Sequence, residues 1–321
     1  MVARSCLGRL LLALLSSAAC LGAIDAWMRT KIGACGLTPF GDSAVEALPH
    51  ELVPGRVTTY KGVTVRINRD GFRGAEIVDP PPGAERIALV GDSVTFGNGC
   101  PEEGTLSVEL ERELARRGHP AQVLNCGVPG YNAANVATLA RERVLALRPQ
   151  RLLYVMVAND VSRSQRRVPI PQDGAIDARA EFPLGSPLLQ FLGIRGSALL
   201  RAVGFHPRGY VASLVTQFEN GGGERVGRAL EELARLCREK GIEFRVAIYP
   251  ALGRLDHDPF AAIEADCARR CAELSVTCHS IGDAFAPDED LTKYWVAFLD
   301  GHPDAAANAI AARFLAERLV N

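Results

Sequence analysis

The fold of this chain is decided by the stretch Arg86-Ile87-Ala88-Leu89-Val90-Gly91-Asp92-Ser93. It is a short apolar run that ends in a glycine and two polar residues, which is typical of a buried strand followed by a tight turn. The pattern then changes to helical spacing, because apolar residues recur among charged ones over 106–117. A strand, a turn and a helix therefore open this part of the chain.

The same alternation continues to the C-terminus. Apolar strand candidates lie at 122–125, 152–157, 244–249 and 276–281, and helical patterns lie at 133–147, 226–240, 260–274 and 305–320. Strands that alternate with helices predict an α/β fold, with a parallel sheet covered by helices on both faces. In such sheets ligands bind beyond the carboxyl ends of the strands, so the chemistry is expected there.

Two segments do not fit the alternation. Residues 45–80 predict a small β element, with one strand at 63–67 and a turn at Asp70-Gly71. Residues 161–222 are a proline-containing insertion whose 188–203 stretch is helical in pattern. An insertion after the carboxyl end of a strand often becomes a lid or a substrate wall. The expected organisation is a leader at 1–28, a linker and small β element at 29–84, and a catalytic domain at 85–321.

Composition excludes several classes of protein. The chain has 321 residues, of which 48% are hydrophobic, and its 36 basic side chains nearly balance its 37 acidic ones. Intrinsic disorder needs low hydrophobicity and high net charge, so it is excluded. A nucleic-acid-binding domain usually shows a clustered basic excess, and the formal net charge here is −1. We therefore expect no nucleic-acid partner.

The N-terminus predicts export. Arg4 and Arg9 precede an uncharged run from Leu10 to Ile24, which is the layout of a secretory signal and is short for a membrane span. The residues before Cys20 are small, as at a cleavage site, but an uncleaved signal anchor that includes Trp27 is an equal alternative. We expect a periplasmic or extracytoplasmic protein, attached to the membrane if this segment is retained.

The nine cysteines predict thiols or disulfides and no metal site. Cys267 and Cys271 lie one helical turn apart and Cys278-His279 follow, but this spacing fits no familiar zinc motif. In an oxidising compartment some cysteines should be paired. Cys100 and Cys126 both follow predicted neighbouring strands, so we expect them to lie close enough to form a disulfide.

Three predicted strands end in residues that can carry chemistry. Ser93 stands at the first strand-to-helix turn, where its hydroxyl would lie above the sheet. Gly130 follows the second strand, where its N–H can approach a ligand closely. Asn159 follows the third strand and could donate its amide to a developing oxyanion. Each residue taken alone is also explained as a turn or a helix cap.

A fourth place lies before the last helix, at Asp300-Gly301-His302-Pro303. A carboxylate near an imidazole can set its tautomer and orient it as a general base. The other five histidines have no comparable surroundings. The four places together supply a nucleophile, a base, an orienting group and oxyanion donors.

This combination resembles the SGNH, or GDSL-type, hydrolase family at Ser93, Gly130, Asn159 and His302. The resemblance covers about residues 60–318 and includes the lead-in Asn68-Arg69-Asp70-Gly71-Phe72-Arg73-Gly74, which is similar to a segment in many exported bacterial members. It implies a flavodoxin-like three-layer α/β/α sandwich and ester or acyl-transfer chemistry. The chain departs from the family in having Ala158 before Asn159. It also has Leu299 three residues before the histidine, where the family's aspartate commonly stands.

The resemblance implies a role for each site residue. Ser93 is expected to be the nucleophile, His302 the base and Asp300 the orienting carboxylate. The N–H groups of Ser93 and Gly130 and the amide of Asn159 are expected to form the oxyanion hole, without a cofactor or metal. The expected substrate is a small-molecule or saccharide ester. The alternatives are an O-acyltransferase that acts on an exported or envelope polysaccharide, and a non-catalytic carbohydrate-binding module that uses the same cleft.

Overall fold

The apolar runs form strands in the computed structural model, which describes residues 15–27, 38–163, 210–253, 255–297 and 300–320. The described strands are β1 (Phe40–Gly41), β2 (Glu51–Leu52), β3 (Val57–Tyr60), β4 (Val63–Arg66), β5 (Glu85–Gly91), β6 (Ala121–Gly127), β7 (Arg151–Met156), β8 (Glu243–Ile248), β9 (Thr277–Ser280), β10 (Trp295–Ala297) and β11 (Asp300–Pro303). Strands β5 to β9 are those that the alternating pattern predicts.

The helical patterns form helices at the predicted places. The described helices are α1 (15–27), α2 (Ser93–Phe96), α3 (Leu106–Arg116), α4 (Ala133–Leu139), α5 (Tyr210–Gln217), α6 (Gly223–Lys240), α7 (Ala261–Glu273) and α8 (Ala305–Leu319). Helix α4 is shorter than its pattern, because it continues as a π turn over Ala140–Val144 and a 3₁₀ turn over Leu145–Leu147.

The central sheet has the order β6-β5-β7-β8-β9. Every neighbouring pair in it is parallel. Numbered along the chain, this order is 2-1-3-4-5, which is the flavodoxin-like arrangement. Strand β5 therefore lies between β6 and β7, and the loops that follow these three strands meet at one edge of the sheet.

Helices cover both faces of the sheet. Ala88 and Val90 of β5 belong to the apolar cluster that includes residues of α4, α6 and α7. Ile87 and Leu89 belong to the opposite cluster, with residues of α3 and α8. Alternate residues of a strand point to opposite faces of the sheet, so the residues of β5 divide between the two clusters. The three-layer α/β/α prediction is thus confirmed.

The predicted small β element is present before the sheet. Strands β1 and β2 pair antiparallel, and β3 and β4 form a hairpin. Of the predicted insertion the structure describes residues 161–163 and 210–222, and the helix predicted at 188–203 lies outside the described residues. The domain boundaries at 28 and 84 stay predictions.

The described part of the N-terminal segment is helix α1. Its large apolar side chains are exposed, with Leu15 at 66% and Trp27 at 61%. Within the described ranges, no helix combines the length and the apolar character that crossing a bilayer requires.

Candidate active site

Ser93 is held at the junction of β5 and α2. The Oδ1 atom of Asp92 accepts a hydrogen bond of 2.8 Å from the backbone N–H of Val94 and so caps α2. Gly91 is required by close packing, because a Cβ atom there would lie 2.1 Å from Oγ1 of Thr95. The turn therefore places Ser93 as the first residue of α2, where it is 8% exposed.

Ser93, His302 and Asp300 form a continuous chain of hydrogen bonds. The Nε2 atom of His302 lies 2.9 Å from Oγ of Ser93. On the other side of the ring, Nδ1 of His302 is hydrogen-bonded to Oδ1 of Asp300. Since an ionised carboxylate only accepts, Nδ1 carries the proton and the lone pair of Nε2 is directed at Ser93. The arrangement suits proton transfer from the hydroxyl to the ring.

The short spacing between Asp300 and His302 is accommodated by β11. Both residues belong to this strand, and alternate residues of a strand point to the same face. The backbone N–H of His302 also donates to Oδ1 of Asp300 at 3.3 Å. Asp300 therefore contacts the ring from two positions before it in the chain.

Asp300 is a partly buried carboxylate between the His302 ring and the Lys61 ammonium group. Burial by itself raises the pKa of Asp300, but the hydrogen bond from His302 and the positive charges of His302 and Lys61 outweigh it and lower that pKa. The Nζ atom of Lys61 lies 3.8 Å from Oδ2 of Asp300, the oxygen that His302 does not use. The site therefore favours the ionised form of Asp300.

Asn159 is joined to Ser93 through Asp92. Its Nδ2 donates to Oδ2 of Asp92 at 2.9 Å, and Oγ of Ser93 lies 3.2 Å from the same oxygen. An amide nitrogen has two hydrogens, so one remains for a ligand. Asn159 follows β7 in a 3₁₀ turn over Ala158–Val161.

Gly130 lies in the loop after β6, on the other side of β5 from Asn159. Its φ of 82° lies in the left-handed region that favours glycine. The loop is tied to the sheet by a hydrogen bond of 3.1 Å from the N–H of Val128 to the carbonyl of Gly91. The structure thus brings Ser93, Asn159 and the Asp300–His302 pair into one network and places Gly130 in the loop that follows the neighbouring strand β6.

Asn98 is a site residue that sequence reasoning missed. Its Nδ2 lies 3.5 Å from Nε2 of His302, and its backbone N–H donates to the carbonyl of Ser93 at 3.0 Å. Oδ1 of Asn98 is buried and has no hydrogen-bond partner among the described residues. The sequence offered only a weak signal for Asn98, namely a polar residue between Gly97 and Gly99. Both glycines have positive φ in the structure.

Asp160 is a second carboxyl group near the site that the sequence did not single out. It is fully buried, and its Oδ2 accepts a hydrogen bond of 3.0 Å from the N–H of Val157. Burial and the negative charge of Asp92 raise the pKa of Asp160 well above its usual range.

The expected disulfide between Cys100 and Cys126 is not formed, and both thiols are free. Cys100 donates from Sγ to the carbonyl of Gly104 at 3.1 Å and faces Asn308 of α8. Cys126 belongs instead to the apolar cluster on the other face of the sheet. The expectation was wrong because strand ends that are neighbours can still direct their side chains into different surroundings.

Cys267, Cys271 and Cys278 come together between α7 and β9, with hydrogen bonds linking their thiols. All three are free cysteines. Within the described ranges, no group of three or more His, Cys, Asp or Glu residues could hold a metal ion.

A family model matches most of the chain. The model of the GDSL-like lipase/acylhydrolase family matches residues 89–310, a range that contains all five predicted site residues. No curated protein matches the chain.

Solved structures of similar architecture also match. TesA is 14% identical, with 74% of this chain and 100% of that chain covered and a TM-score of 0.44. A GDSL-like lipase from Bacteroides thetaiotaomicron is 12% identical, with 76% and 92% covered and a TM-score of 0.43. The acetyl xylan esterase AlAXEase is 11% identical, with 73% and 98% covered and a TM-score of 0.42.

Proposed function

This chain belongs to the GDSL-like lipase/acylhydrolase family and is a hydrolase that acts on esters, and from that premise we propose that it cleaves carboxylic esters through an acyl-Ser93 intermediate. The observation that carries the proposal is the chain of hydrogen bonds from Ser93 through His302 to Asp300. The proposed substrates are small-molecule or saccharide esters.

The first step is attack by Ser93. Its Oγ adds to the ester carbonyl carbon while its proton passes to Nε2 of His302, 2.9 Å away. The imidazolium that forms is stabilised by Asp300, which accepts the Nδ1 hydrogen bond throughout. The product of this step is a tetrahedral intermediate with a negative oxygen.

The oxyanion is proposed to bind between the loops that follow β5, β6 and β7. The donors are the backbone N–H groups of Ser93 and Gly130 and the Nδ2 hydrogen of Asn159 that Asp92 does not use. Donors fixed before the reaction cost no reorganisation, and the loss of one typically lowers turnover by about 10²–10³-fold.

The intermediate collapses when the bond to the alcohol breaks. His302 returns its proton to the leaving alkoxide, which departs as the alcohol and leaves acyl-Ser93. Water then adds to the acyl group while its proton passes to His302, and the second tetrahedral intermediate releases the carboxylic acid with Ser93 reprotonated. One water is consumed, and no oxidant, reductant or cofactor is needed.

Labelling with a fluorophosphonate probe tests the nucleophile. The probe should attach to Ser93 and abolish hydrolysis of a p-nitrophenyl ester series that runs from acetyl to long acyl chains. Ser93→Ala should be neither labelled nor active, whereas Ser213→Ala, which alters an exposed serine of α5, should behave as the unchanged protein. A folded protein that is not labelled at Ser93 and cleaves no ester of the series would contradict the proposal.

The same labelling separates the proposed hydrolase from a non-catalytic module, and product analysis separates it from an O-acyltransferase. A non-catalytic carbohydrate-binding module should not react at Ser93. An O-acyltransferase should react, but it should transfer the acyl group to an added saccharide faster than to water. Product analysis with and without saccharide acceptors therefore decides between water and a sugar hydroxyl.

We also propose that the N-terminal segment directs export. Support comes from the basic residues Arg4 and Arg9 before an uncharged run, and from the exposure of the apolar side chains of α1. An alkaline phosphatase fusion placed after Met28 should be active outside the cytoplasm. The same fusion without residues 1–24 is the control and should be inactive. A full-length leader fusion that stays inactive in exporting cells would argue against the proposal.

A further inference from the structure

The N-terminal β element, defined here as residues 38–74, lies against the proposed active site. It precedes the range that the family model matches, which begins at residue 89. It nevertheless contacts two loops and one strand that carry site residues, through Arg73, His50 and Lys61.

The first contact holds the loop after the nucleophile. Nη1 of Arg73 donates to the carbonyls of Phe96 and Gly97 at 2.9 and 2.7 Å, and Nη2 donates to the carbonyl of Cys100 at 2.7 Å. Arg73 is 3% exposed. The three carbonyls lie on both sides of Asn98 in the sequence, and the amide of Asn98 lies beside His302.

The second contact holds the loop of Gly130. Nε2 of His50 donates to the carbonyl of Pro129 at 2.8 Å, and Oη of Tyr131 donates to the carbonyl of His50 at 2.5 Å. Pro129 and Tyr131, which flank Gly130, are therefore both hydrogen-bonded to His50.

The third contact reaches the Ser–His–Asp network itself. Nζ of Lys61 lies 3.8 Å from Oδ2 of Asp300, while Oδ1 of the same carboxylate is bonded to His302. The carboxylate is thus held at both oxygens, by the ring on one side and by an ammonium group on the other.

The backbone at Lys61 supports a specific role. Lys61 and Gly62 form the two-residue turn between β3 and β4, and their φ angles are 51° and 81°. Positive φ at both central positions is the geometry of a tight hairpin turn, where asparagine or glycine is preferred at the first position. A lysine is therefore not the residue that the turn favours, and strained positions of this kind cluster at functional sites.

We propose that Lys61 is a positioning residue for this reaction: it holds the Asp300 carboxylate in the orientation that bonds to His302, so that the N-terminal β element completes the active site. This inference rests on the proposed esterase function. Lys61 acts through Asp300 and is assigned no contact with substrate.

The charged groups around the network show what the loss of Lys61 would remove. Asp300 faces Lys61 and His302, His302 also faces Ser93 and Asn98, and Asp92 lies beside Ser93. Lys61 is the cation that lies beside Oδ2 of Asp300. Without it, the carboxylate should be held less firmly against the His302 ring.

Four variants test the proposal. Lys61→Met removes the charge, Lys61→Arg keeps it, and Lys61→Asn removes it while suiting the turn. Lys240→Met is the matched control, because Lys240 is exposed at the end of α6. A half-exposed ion pair has a modest effect, so Lys61→Met should lower kcat/KM by about two- to fivefold, mainly through kcat.

The remaining variants separate positioning from folding. Lys61→Arg should restore kcat. Lys61→Asn should match Lys61→Met in activity while melting at the same temperature as the unchanged protein or higher. High salt should reduce the difference in kcat/KM between Lys61→Met and the unchanged protein, since salt screens exposed charges. Lys240→Met should change none of these quantities.

A spectroscopic measurement keeps this test independent of ester turnover. The low-field proton resonance of the His302 Nδ1–H, identified by its loss in His302→Ala, should shift in Lys61→Met and Lys61→Asn and return in Lys61→Arg. If all Lys61 variants keep the kinetics and this resonance of the unchanged protein, the inference is wrong although the esterase stands. If the unchanged protein cleaves no ester and reacts with no probe, the esterase proposal fails, and the resonance still decides the role of Lys61.

Discussion

At the scale of single residues, Asp300 is the position on which the proposed mechanism depends most. Its Oδ1 is bonded to Nδ1 of His302, although the two residues are separated only by Gly301. A carboxylate in this place keeps the proton on Nδ1 and stabilises the charged ring after proton transfer. An amide in the same place would allow the wrong tautomer.

We therefore expect Asp300→Asn to lower kcat by about 10²–10⁴-fold. The control is Asp304→Asn, because Asp304 caps α8 through its side chain and asparagine caps equally well. This variant should keep near-normal turnover. If Asp300→Asn is as active as Asp304→Asn, the site is a Ser–His dyad and the role of Asp300 is wrong.

Glu264 should make the stability of the protein depend on pH. Its Oε1 has no hydrogen-bond partner in the described ranges, and burial together with the charge and hydrogen bond of Asp258 raises the pKa of Glu264 to about 8. The folded state then binds more protons than the unfolded state between the ordinary value of 4.5 and about 8. This contribution to stability is full below the ordinary value and is lost as the pH rises through 8.

Replacement of Glu264 by glutamine should weaken this dependence. Between about pH 6 and pH 9, the melting temperature of Glu264→Gln should fall less than that of the unchanged protein. Glu273→Gln, at the exposed end of the same helix, should follow the unchanged protein. If the melting temperatures of Glu264→Gln and Glu273→Gln change with pH in the same way, Glu264 is ionised throughout this range.

At the scale of elements, the close approach of β6 to α2 decides where Ser93 lies. A Cβ atom at Gly127, the last residue of β6, would lie 2.3 Å from the backbone nitrogen of Phe96 and 2.7 Å from the carbonyl carbon of Thr95. Both contacts are to the backbone of α2, so no side chain can move aside to relieve them. The strand and the helix can meet only through a glycine.

Gly127→Ala should therefore displace α2 and lower both stability and turnover. Overpacking of this kind typically costs about 1–3 kcal/mol of unfolding free energy. Gly253→Ala is the matched control, because a Cβ atom there would meet nothing within 4 Å. Urea unfolding and kcat should change for Gly127→Ala and stay unchanged for Gly253→Ala. Equal values for the two variants would mean that α2 is free to move.

At the scale of the whole molecule, Arg73 attaches the N-terminal β element to the α/β core. Its guanidinium is buried and supplies three hydrogen bonds to carbonyls of the loop that follows α2. Burial lowers the pKa of Arg73, whereas the nearby thiol and carboxyl groups of Cys100, Glu102 and Glu103 act in the opposite direction. A single guanidinium group thus makes the attachment. It supplies the hydrogen bonds that water would otherwise donate to these backbone carbonyls.

We expect Arg73→Met to destabilise the protein by about 3 kcal/mol or more, because buried carbonyls lose their donors. Urea unfolding with an unchanged m-value would measure the loss. Arg69→Met is the control, since Arg69 lies in the same element and forms an exposed ion pair with Glu76. Its effect should stay within about 0.5 kcal/mol. An equally small effect of Arg73→Met would show that the element does not depend on this contact.

The sequence by itself determined the α/β class and four of the places that meet at the site. Parallel strands bring their carboxyl ends to one edge of a sheet, so local patterns around Ser93, Gly130 and Asn159 were sufficient to predict their common position. His302 could be selected because a carboxylate stands beside it in the sequence. For these inferences it is enough to recognise each strand in the sequence and to read the residues that follow it.

Only the tertiary structure decided the rest. The contact between Asp300 and the His302 ring depends on the backbone of β11, and the contacts of Lys61 and Arg73 join segments that are distant in the chain. Such contacts leave no local pattern, because a lysine in a turn or an arginine before a glycine looks like an ordinary surface residue in the sequence. Cys100 and Cys126 show the converse, since adjacent strand ends did not bring their thiols together. The physical reason is the same in each case: side-chain direction is set by packing against the rest of the molecule.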